Sequence, residues 1–375
     1  MRFALFYHSL VSDWNHGNAH FLRGVASELL ARGHEVRIFE PQDGWSRTNL
    51  LAQHGTAPVA GFRRAFPQLR SVLYDSRRFD PAPVLAATDV AIVHEWNDRD
   101  LVRRIGQLRK RSRGLRILFH DTHHRSVTAP RSMAAYDLRH YDGVLAYGRV
   151  IRDIYLERGW TERAWTWHEA ADVRHFRPVI GRARRGDVVW IGNWGDGERS
   201  AELNRFLLRP VHGLGLDGSV FGVRYPKSAR VAVERAGLAY RGWIANSRVP
   251  QVFAEHGVTV HVPRRPYARA LPGIPTIRPF EALACGIPLV SSPWDDSEGL
   301  FSPGRDYLVA RDGDEMAAHL SAVLGDARLA RRLVQHGLRT IRRRHTCEHR
   351  VDELLAICDQ LGAEAAESAL AEGER

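Results

Sequence analysis

A strand-then-helix rhythm that runs, stops and starts again constrains this chain more than any other feature. A short apolar run at residues 3–7 is followed by a polar, Gly-containing loop at 9–17 and a helical stretch at 19–31. Arg32-Gly33-His34 closes that helix, with Gly33 suited to the left-handed position just past a helix end. Residues 36–39 read as the next strand, and further strands fit 90–93, 117–119 and 143–146, with helices between them. Strands that alternate with helices pair in parallel, because each helix returns the chain to the edge where the next strand starts. Pro178, Gly181 and Gly186 break an Arg-rich stretch at 176–186. Beyond it strands fit 187–191, 219–223, 239–243, 258–262 and 287–291, and helices fit 198–208, 228–236, 250–255 and 277–284. Residues 314–361 are nearly all helical, and the acidic, Ala-rich tail at 362–375 is expected to fray. A chain of 375 residues exceeds one ordinary core. The expectation is α/β with two doubly wound parallel sheets: an N-terminal domain over 1–177, a second over 178–345, and a helix over 346–375 that packs back on the first. Such sheets hold ligands beyond the carboxyl ends of their strands, so the loops after strands are where chemistry belongs.

Composition narrows the class. The chain is 44% hydrophobic and 26% charged, as a globular protein is. No apolar stretch approaches bilayer length, and residues 1–10 read as a strand rather than as a secretory signal. Cys285, Cys347 and Cys358 show neither paired nor metal-ligand spacing, which fits a reducing compartment. A cytoplasmic location is expected, with the inner face of the membrane as a peripheral site. The formal charge is +11, yet only Lys110 and Lys227 are lysines, so an arginine-biased composition explains much of it. One cluster stands out: Arg99, Arg103, Arg104, Arg109, Lys110, Arg111, Arg113 and Arg116, with Leu101, Ile105 and Leu108 at helical spacing. It reads as a basic amphipathic surface helix through which the N-terminal domain touches a membrane, and a solvated helix face is the simpler account. A nucleic-acid partner is not expected.

Several segments, in order, resemble one group of enzymes. Ala31-Arg32-Gly33-His34-Glu35-Val36 resembles the signature after the first helix of many GT-B glycosyltransferases, and Asp172-Val173-Arg174-His175-Phe176-Arg177-Pro178 resembles their interdomain segment. Residues 246–253 resemble the stretch leading into the donor-domain strand at 258–263. Pro279-Phe280-Glu281-Ala282-Leu283-Ala284-Cys285-Gly286-Ile287-Pro288 resembles an element of the family-four retaining glycosyltransferases and of the CgeB-like spore-coat group. Ile191-Gly192-Asn193-Trp194-Gly195-Asp196 together with Gly273-Ile274-Pro275-Thr276-Ile277-Arg278 is closer to the CgeB-like branch. The resemblance implies a GT-B fold, two Rossmann-like domains facing across a cleft. It also implies an enzyme that moves a sugar from a nucleotide-diphosphate sugar to an acceptor, metal-independent and retaining. No cofactor is implied; the donor, UDP- or GDP-linked, is a substrate.

The resemblance also carries site residues. Without a metal, charge on the leaving group must be met by helix N-termini, backbone N–H groups and basic side chains. The amides of Thr276 and Ile277 are then expected at a phosphate and Glu281 at the ribose hydroxyls, a dipole-favoured first-turn acid being the plainer account of Glu281. Eight positions before Glu281 the family carries an acid that contacts the sugar; Gly273 stands here, so the donor sugar is not carried over. Arg199 and Arg224 are the choices for the diphosphate, with Lys227 third, while Arg264, Arg265 and Arg269 crowd the same side. Tyr267 is a candidate to stack on the base, or a packed loop aromatic. Gly17, between His16 and Asn18, sits where a side chain would block phosphate or acceptor. His120 matches a histidine that touches the donor sugar, and His120 and Asp121 are the catalytic candidates, with His123 and His124 beside them. Asp121, His123 and His124 have the composition of a metal cluster, and His94-Glu95-Trp96 ends another strand, but no second cluster at ligand spacing follows and no metal is expected. Asp13, Glu95 and Asp121 would serve an inverting enzyme. The rivals are a nucleotide-sugar 2-epimerase, which needs acid/base carboxylates, and a non-catalytic sugar-binding relative, which Gly273 keeps open.

Overall fold

The computed structural model describes residues 1–109 and 114–373, so Lys110, Arg111 and Arg113 of the basic cluster lie outside the described residues. Its contacts divide the chain into two compact units. The first comprises Met1–Ser12, Phe21–His168 and Cys347–Arg375; the second comprises Asp13–His20 and Glu169–Thr346.

The first unit holds β1 (Arg2–Phe6), β2 (Glu35–Pro41), β3 (Ser71–Tyr74), β4 (Val90–His94), β5 (Arg116–Asp121), β6 (Gly143–Ala146) and β7 (Ala164–Thr166). They form a parallel sheet in the order β3-β2-β1-β4-β5-β6-β7. The second unit holds β8 (Gly186–Ile191), β9 (Gly218–Phe221), β10 (Leu238–Gly242), β11 (His256–His261), β12 (Leu289–Ser291) and β13 (Leu308–Val309). These are also parallel, in the order β10-β9-β8-β11-β12-β13. Each unit is therefore an α/β, Rossmann-like sheet. The chain order reverses between β1 and β4 in one and between β8 and β11 in the other, and those reversals open a crevice at the carboxyl ends of the strands.

The central strands are apolar over most of their length because helices cover both faces of a parallel sheet. All five residues of β4, Val90 through His94, are buried, as are Phe3, Ala4, Leu5 and Phe6 of β1. In the second unit Val188, Trp190, Val220, Val258, Val260 and Val290 join one core cluster. Gly33 adopts φ +78° at the end of the first helix, as its sequence context requires. β3, β7 and β13 were not foreseen. They are short strands at sheet edges, and Val72 and Leu73 of β3 are exposed, so burial leaves little apolar signature on them. The helix Cys347–Gly373 runs on where the acidic tail was expected to fray, in keeping with the helix propensity of its Ala and Glu residues. Its first turns are tied into the first unit: Trp167 Nε1 donates to the Arg350 carbonyl at 2.8 Å and Arg32 pairs with Asp352. Among the described residues no helix is long and apolar enough to cross a membrane.

Candidate functional site

The second unit contains an open cavity at its switch point, with about 1030 Å³ free of atoms. The loop after β8 and the loop after β11 form two of its walls, the place a doubly wound sheet keeps for ligands. Glycines shape the first wall. A Cβ on Gly192 would lie 2.8 Å from the Trp190 ring, one on Gly195 (φ +90°) 2.5 Å from Arg199 Cγ, and one on Gly222 2.0 Å from the Gly192 carbonyl oxygen. Their absence lets the Arg199 side chain fold back across the loop. Its Nη1 donates to the Val262 carbonyl (3.2 Å) and its Nη2 to the Asn193 carbonyl (2.8 Å) and Oδ1 (2.6 Å). Its guanidinium carbon sits 5.0 Å from the centre of the Trp190 ring. Burial, then the charge of Arg264, lowers its pKa to about 9, and Nε has no hydrogen-bond partner among the described residues.

Two more cations share the cavity. Arg264 pairs with Glu198 at 3.0 Å, and Arg278 pairs with Glu281. Arg278 stands in the first turn of the helix Ile277–Cys285, whose opening residues Thr276 and Ile277 also line the cavity. The first N–H groups of a helix have no partner within it and carry partial positive charge. Thr276 is held at φ +64°, a rare conformation for a β-branched residue, and its side chain makes no capping hydrogen bond. His261 closes the floor, with Nδ1 2.9 Å from Ser291 Oγ; burial and the charges of Arg199 and Arg278 push its pKa down to about 3.

Glu281 is fully enclosed and does not line the cavity. The Asp172 N–H donates to His20 Nε2 at 2.6 Å, so His20 Nδ1–H donates to Glu281 Oε1 at 2.9 Å. Asn246 Nδ2 donates to the same oxygen at 2.9 Å, and Arg278 engages the other. Burial raises the Glu281 pKa, but Arg278, His20 and Asn246 outweigh it and leave it below the ordinary glutamate value. Glu169 shows the reverse: burial, then the charge of Glu281, raises it to about 8. Asn246 lines the cavity with its Oδ1 buried and without a partner among the described residues. Asp13 is the cavity's one carboxylate among the described residues, and it accepts from Trp243 Nε1 and from the Asn246 N–H, each at 3.0 Å.

The cavity gathers Gly17, Arg199, Tyr267, Thr276 and Ile277 from the expected set, along with His16 and Arg264. It does not gather Arg224, Lys227, Arg265 or Arg269. Arg224 (φ +63°) is exposed and pairs with Asp196 at 3.2 Å, Lys227 is exposed at the start of its helix, and Arg265 ties down Glu198 and Glu202. Sequence reasoning missed three participants. Arg278 and Asn246 were legible only as parts of motifs, and His261 carried no signal beyond its place at the end of a strand. Glu298, which does not line the cavity, lies against Gly273: a Cβ there would come within 2.5 Å of Glu298 Oε1.

His120 and Asp121 end β5 in the first unit, both wholly buried. His120 packs against Trp167 (4.8 Å between centroids) and His94 (5.5 Å), its two nitrogens have no partner among the described residues, and burial lowers its pKa to about 3. Asp121 accepts from the His123 N–H (3.0 Å) and Tyr155 Oη–H (2.9 Å); burial, then the charge of Glu95, raises it to about 8. Among the described residues no group of three or more His, Cys, Asp or Glu is placed to hold a metal ion.

Residues 199–356 match a protein-family model described as glycosyl transferase-like. No curated protein matches the chain. Solved structures do. Sucrose-phosphate synthase from Thermosynechococcus elongatus is 15% identical over 97% of this chain and 100% of its own, with a TM-score of 0.66. An alpha-glucosyltransferase solved with UDP and a 13-mer DNA containing a central A:G mismatch is 13% identical over 96% and 100%, with a TM-score of 0.69. The lipopolysaccharide outer core galactosyltransferase WaaB is 14% identical over 96% and 100%, with a TM-score of 0.59. The two parallel sheets are those of the GT-B fold. The family match covers most of the cavity-bearing unit, and over that span the chain is similar to glycosyl transferases.

Proposed function

We propose that this chain transfers a sugar from a nucleoside-diphosphate sugar, UDP- or GDP-linked, to a hydroxyl acceptor, without a metal and with retention of configuration. One observation carries the proposal: three arginines and a helix N-terminus line one cavity whose single carboxylate is already engaged. Arg264 and Arg278 are held from behind by Glu198 and Glu281, and Arg199 is met by no carboxylate among the described residues. The wall therefore gathers guanidinium and helix N–H donors that suit a diphosphate. Arg199, Arg264 and Arg278 supply donors in planar forks, and the N–H groups of Thr276 and Ile277 add the helix end. Ile244, Val249 and Tyr267 give the wall an apolar side against which a base packs. Glu281 acts as a positioning residue, fixing Arg278 and Asn246 from behind. Glu298 sets a carboxylate against Gly273, the position at which the resemblance implies a sugar contact, and it enters the proposal on that ground only.

In the transfer step the bond from the anomeric carbon to the phosphate oxygen breaks and the bond to the acceptor oxygen forms on the same face. The acceptor's proton passes to the departing phosphate, and the cationic wall stabilises the charge that develops there. His120 remains the expected group on the sugar from the resemblance, with Asp121 its neighbour to bind the acceptor or move a proton, and they enter the proposal on that ground only.

A thermal-shift and calorimetric series across UDP-, GDP-, dTDP- and ADP-sugars tests the site. A ligand at a hundred times its dissociation constant stabilises by about 2.7 kcal/mol. One nucleotide class is expected to bind, and Arg199→Ala to abolish its binding. No binding by any of them, or binding indifferent to that change, overturns the donor site. Incubation without acceptor is expected to leave the donor sugar's configuration unchanged, and an epimerised donor would replace transfer by epimerisation.

A further inference from the structure

The helix Ala327–Arg344 carries seven arginines and no acidic residue over its 18 residues. With 3.6 residues per turn, Arg328, Arg331, Arg332, Arg339, Arg342 and Arg343 fall within an arc of about 120° on a helix about 27 Å long. All six are exposed. The opposite side is buried through Leu333, Gly337 and Ile341. That side is fixed: a Cβ on Gly337 would lie 2.7 Å from Leu283 Cδ2, so the missing side chain lets this helix close on the helix Ile277–Cys285. The arginine stripe must therefore face outward.

Among the described residues none of the six forms an ion pair. Arginines on other surfaces of the chain do: Arg103 and Arg104 with Asp100, Arg109 with Asp142, Arg139 with Asp137, Arg311 with Glu315. Asp326, just before the helix, feels Arg332 but caps the N–H groups of Arg328 and Leu329, and the buried Asp306 accepts from Thr340 on the same helix. Arg339 contacts only His336 Nδ1, at 3.1 Å. Arginine bias in the composition explains many arginines; it does not explain their segregation to one face from which acids are missing.

We propose that this face docks the protein on an anionic lipid bilayer, by charge alone. A stripe of six guanidinium groups on a straight helix matches a plane of lipid phosphates, and each basic side chain near such a surface multiplies partitioning by about fivefold. No large exposed apolar residue lies on this helix, so nothing inserts among the acyl chains. The helix carries no Phe, Tyr or Trp to stack on bases, and Gln335 is its one amide, so apart from the arginines and His336 it offers little for reading bases. A bilayer therefore fits the stripe better than a nucleic acid. The surface is independent of the donor site, and binding to it needs no nucleotide.

Sedimentation of the full chain with phosphatidylcholine vesicles, with and without phosphatidylglycerol, tests this directly. Binding is expected only to the anionic vesicles, and to vanish at high salt. The substitutions R331Q, R332Q, R339Q and R342Q together are expected to weaken it at least about a hundredfold, and R331Q with R332Q or R339Q with R342Q by about twentyfold. R103Q with R104Q, on the paired helix Arg99–Arg109, is expected to change it less than twofold. Melting curves matching the unsubstituted protein show that the variants fold. Equal binding by the quadruple variant, no binding to anionic vesicles, or displacement from them by sub-stoichiometric duplex DNA overturns the proposal.

Discussion

The two switch points of this molecule share one topology and differ in what fills them. In the first unit the polar groups of the loops after β1 and β4 are taken up by the ends of β1, β2 and β3. Ser9 Oγ and the Leu10 N–H donate to Glu40, Asn97 Nδ2 donates to the Phe6 carbonyl, and Tyr74 Oη–H donates to Asn97 Oδ1. Glu95, wholly buried, is paired with Arg125, whose guanidinium stacks 4.0 Å from the centre of Trp96. In the second unit glycines replace the filling side chains, and the cations Arg199, Arg264 and Arg278 outnumber the carboxylate on the wall. The sheet sets where a crevice opens; the residues after the strands decide whether it closes on itself or waits for an anion.

Removing one cation from each side sharpens this contrast. Arg125→Ala would leave Glu95 buried without its counter-ion, and a loss of about 3–5 kcal/mol in chemical denaturation is expected. Nucleotide affinity, measured on the folded variant below its melting temperature, should not move. Arg278→Ala should do the opposite. Glu281 keeps His20 and Asn246, so stability falls less, while a hydrogen bond to a charged group worth about 1.5–3 kcal/mol is lost from the ligand, a ten- to hundredfold drop in affinity by calorimetry. If both variants lose affinity alike, the two switch points do not divide the work as described.

The central strands of both sheets were legible because burial on both faces writes a continuous apolar run, as at residues 90–93 and 188–191. Edge strands such as Leu308–Val309 write almost nothing. Arg199 was legible by its place after a glycine loop, and Thr276 and Ile277 by their place at a helix start. Arg224 and Lys227 occupy similar loop ends yet point elsewhere, because position after a strand does not specify side-chain direction. Glu281 shows the limit most clearly: sequence identified the residue, but whether its carboxylate faces the cavity or sits behind it depends on His20, which lies 261 positions away. The acid-free arginine face of Ala327–Arg344 was hidden for a similar reason, since local sequence drew the eye to Arg99–Arg109, whose arginines the fold pairs off.

His120 probes the closed side by pH. Its folded pKa of about 3 lies below the ordinary 6.5, so the unfolded chain binds the extra proton between those values, and the stability this residue contributes is present above pH 6.5 and lost on acidification. Asp121 and Glu169, raised to about 8, act in the opposite sense, losing stability as pH rises toward 8, so the wild-type profile alone is ambiguous. Comparison with His120→Phe isolates the histidine. Replacing two unpartnered buried nitrogens with carbon should stabilise by about 1–2 kcal/mol near neutrality. The melting-temperature difference between variant and wild type should then widen from pH 7 to pH 5; a constant difference would mean that this strand end is not closed to protons.

The smallest expected effect concerns Thr276 on the open side. A left-handed threonine costs on the order of 1–2 kcal/mol in backbone strain, and glycine in its place relieves that strain while adding about 0.5–1 kcal/mol of unfolded-state entropy. Thr276→Gly should therefore raise stability by less than about 1 kcal/mol, a shift of a few degrees at most. Strain of this kind persists where a side chain is needed, and this one lines the cavity without capping its own helix. The same variant should accordingly bind the nucleotide-sugar several-fold more weakly, and Thr276→Ser, which keeps the hydroxyl, should bind it normally. A glycine variant that melts higher and binds as well as the parent would make the strain idle, and the open switch point would then owe its ligand to the arginines and the helix end alone.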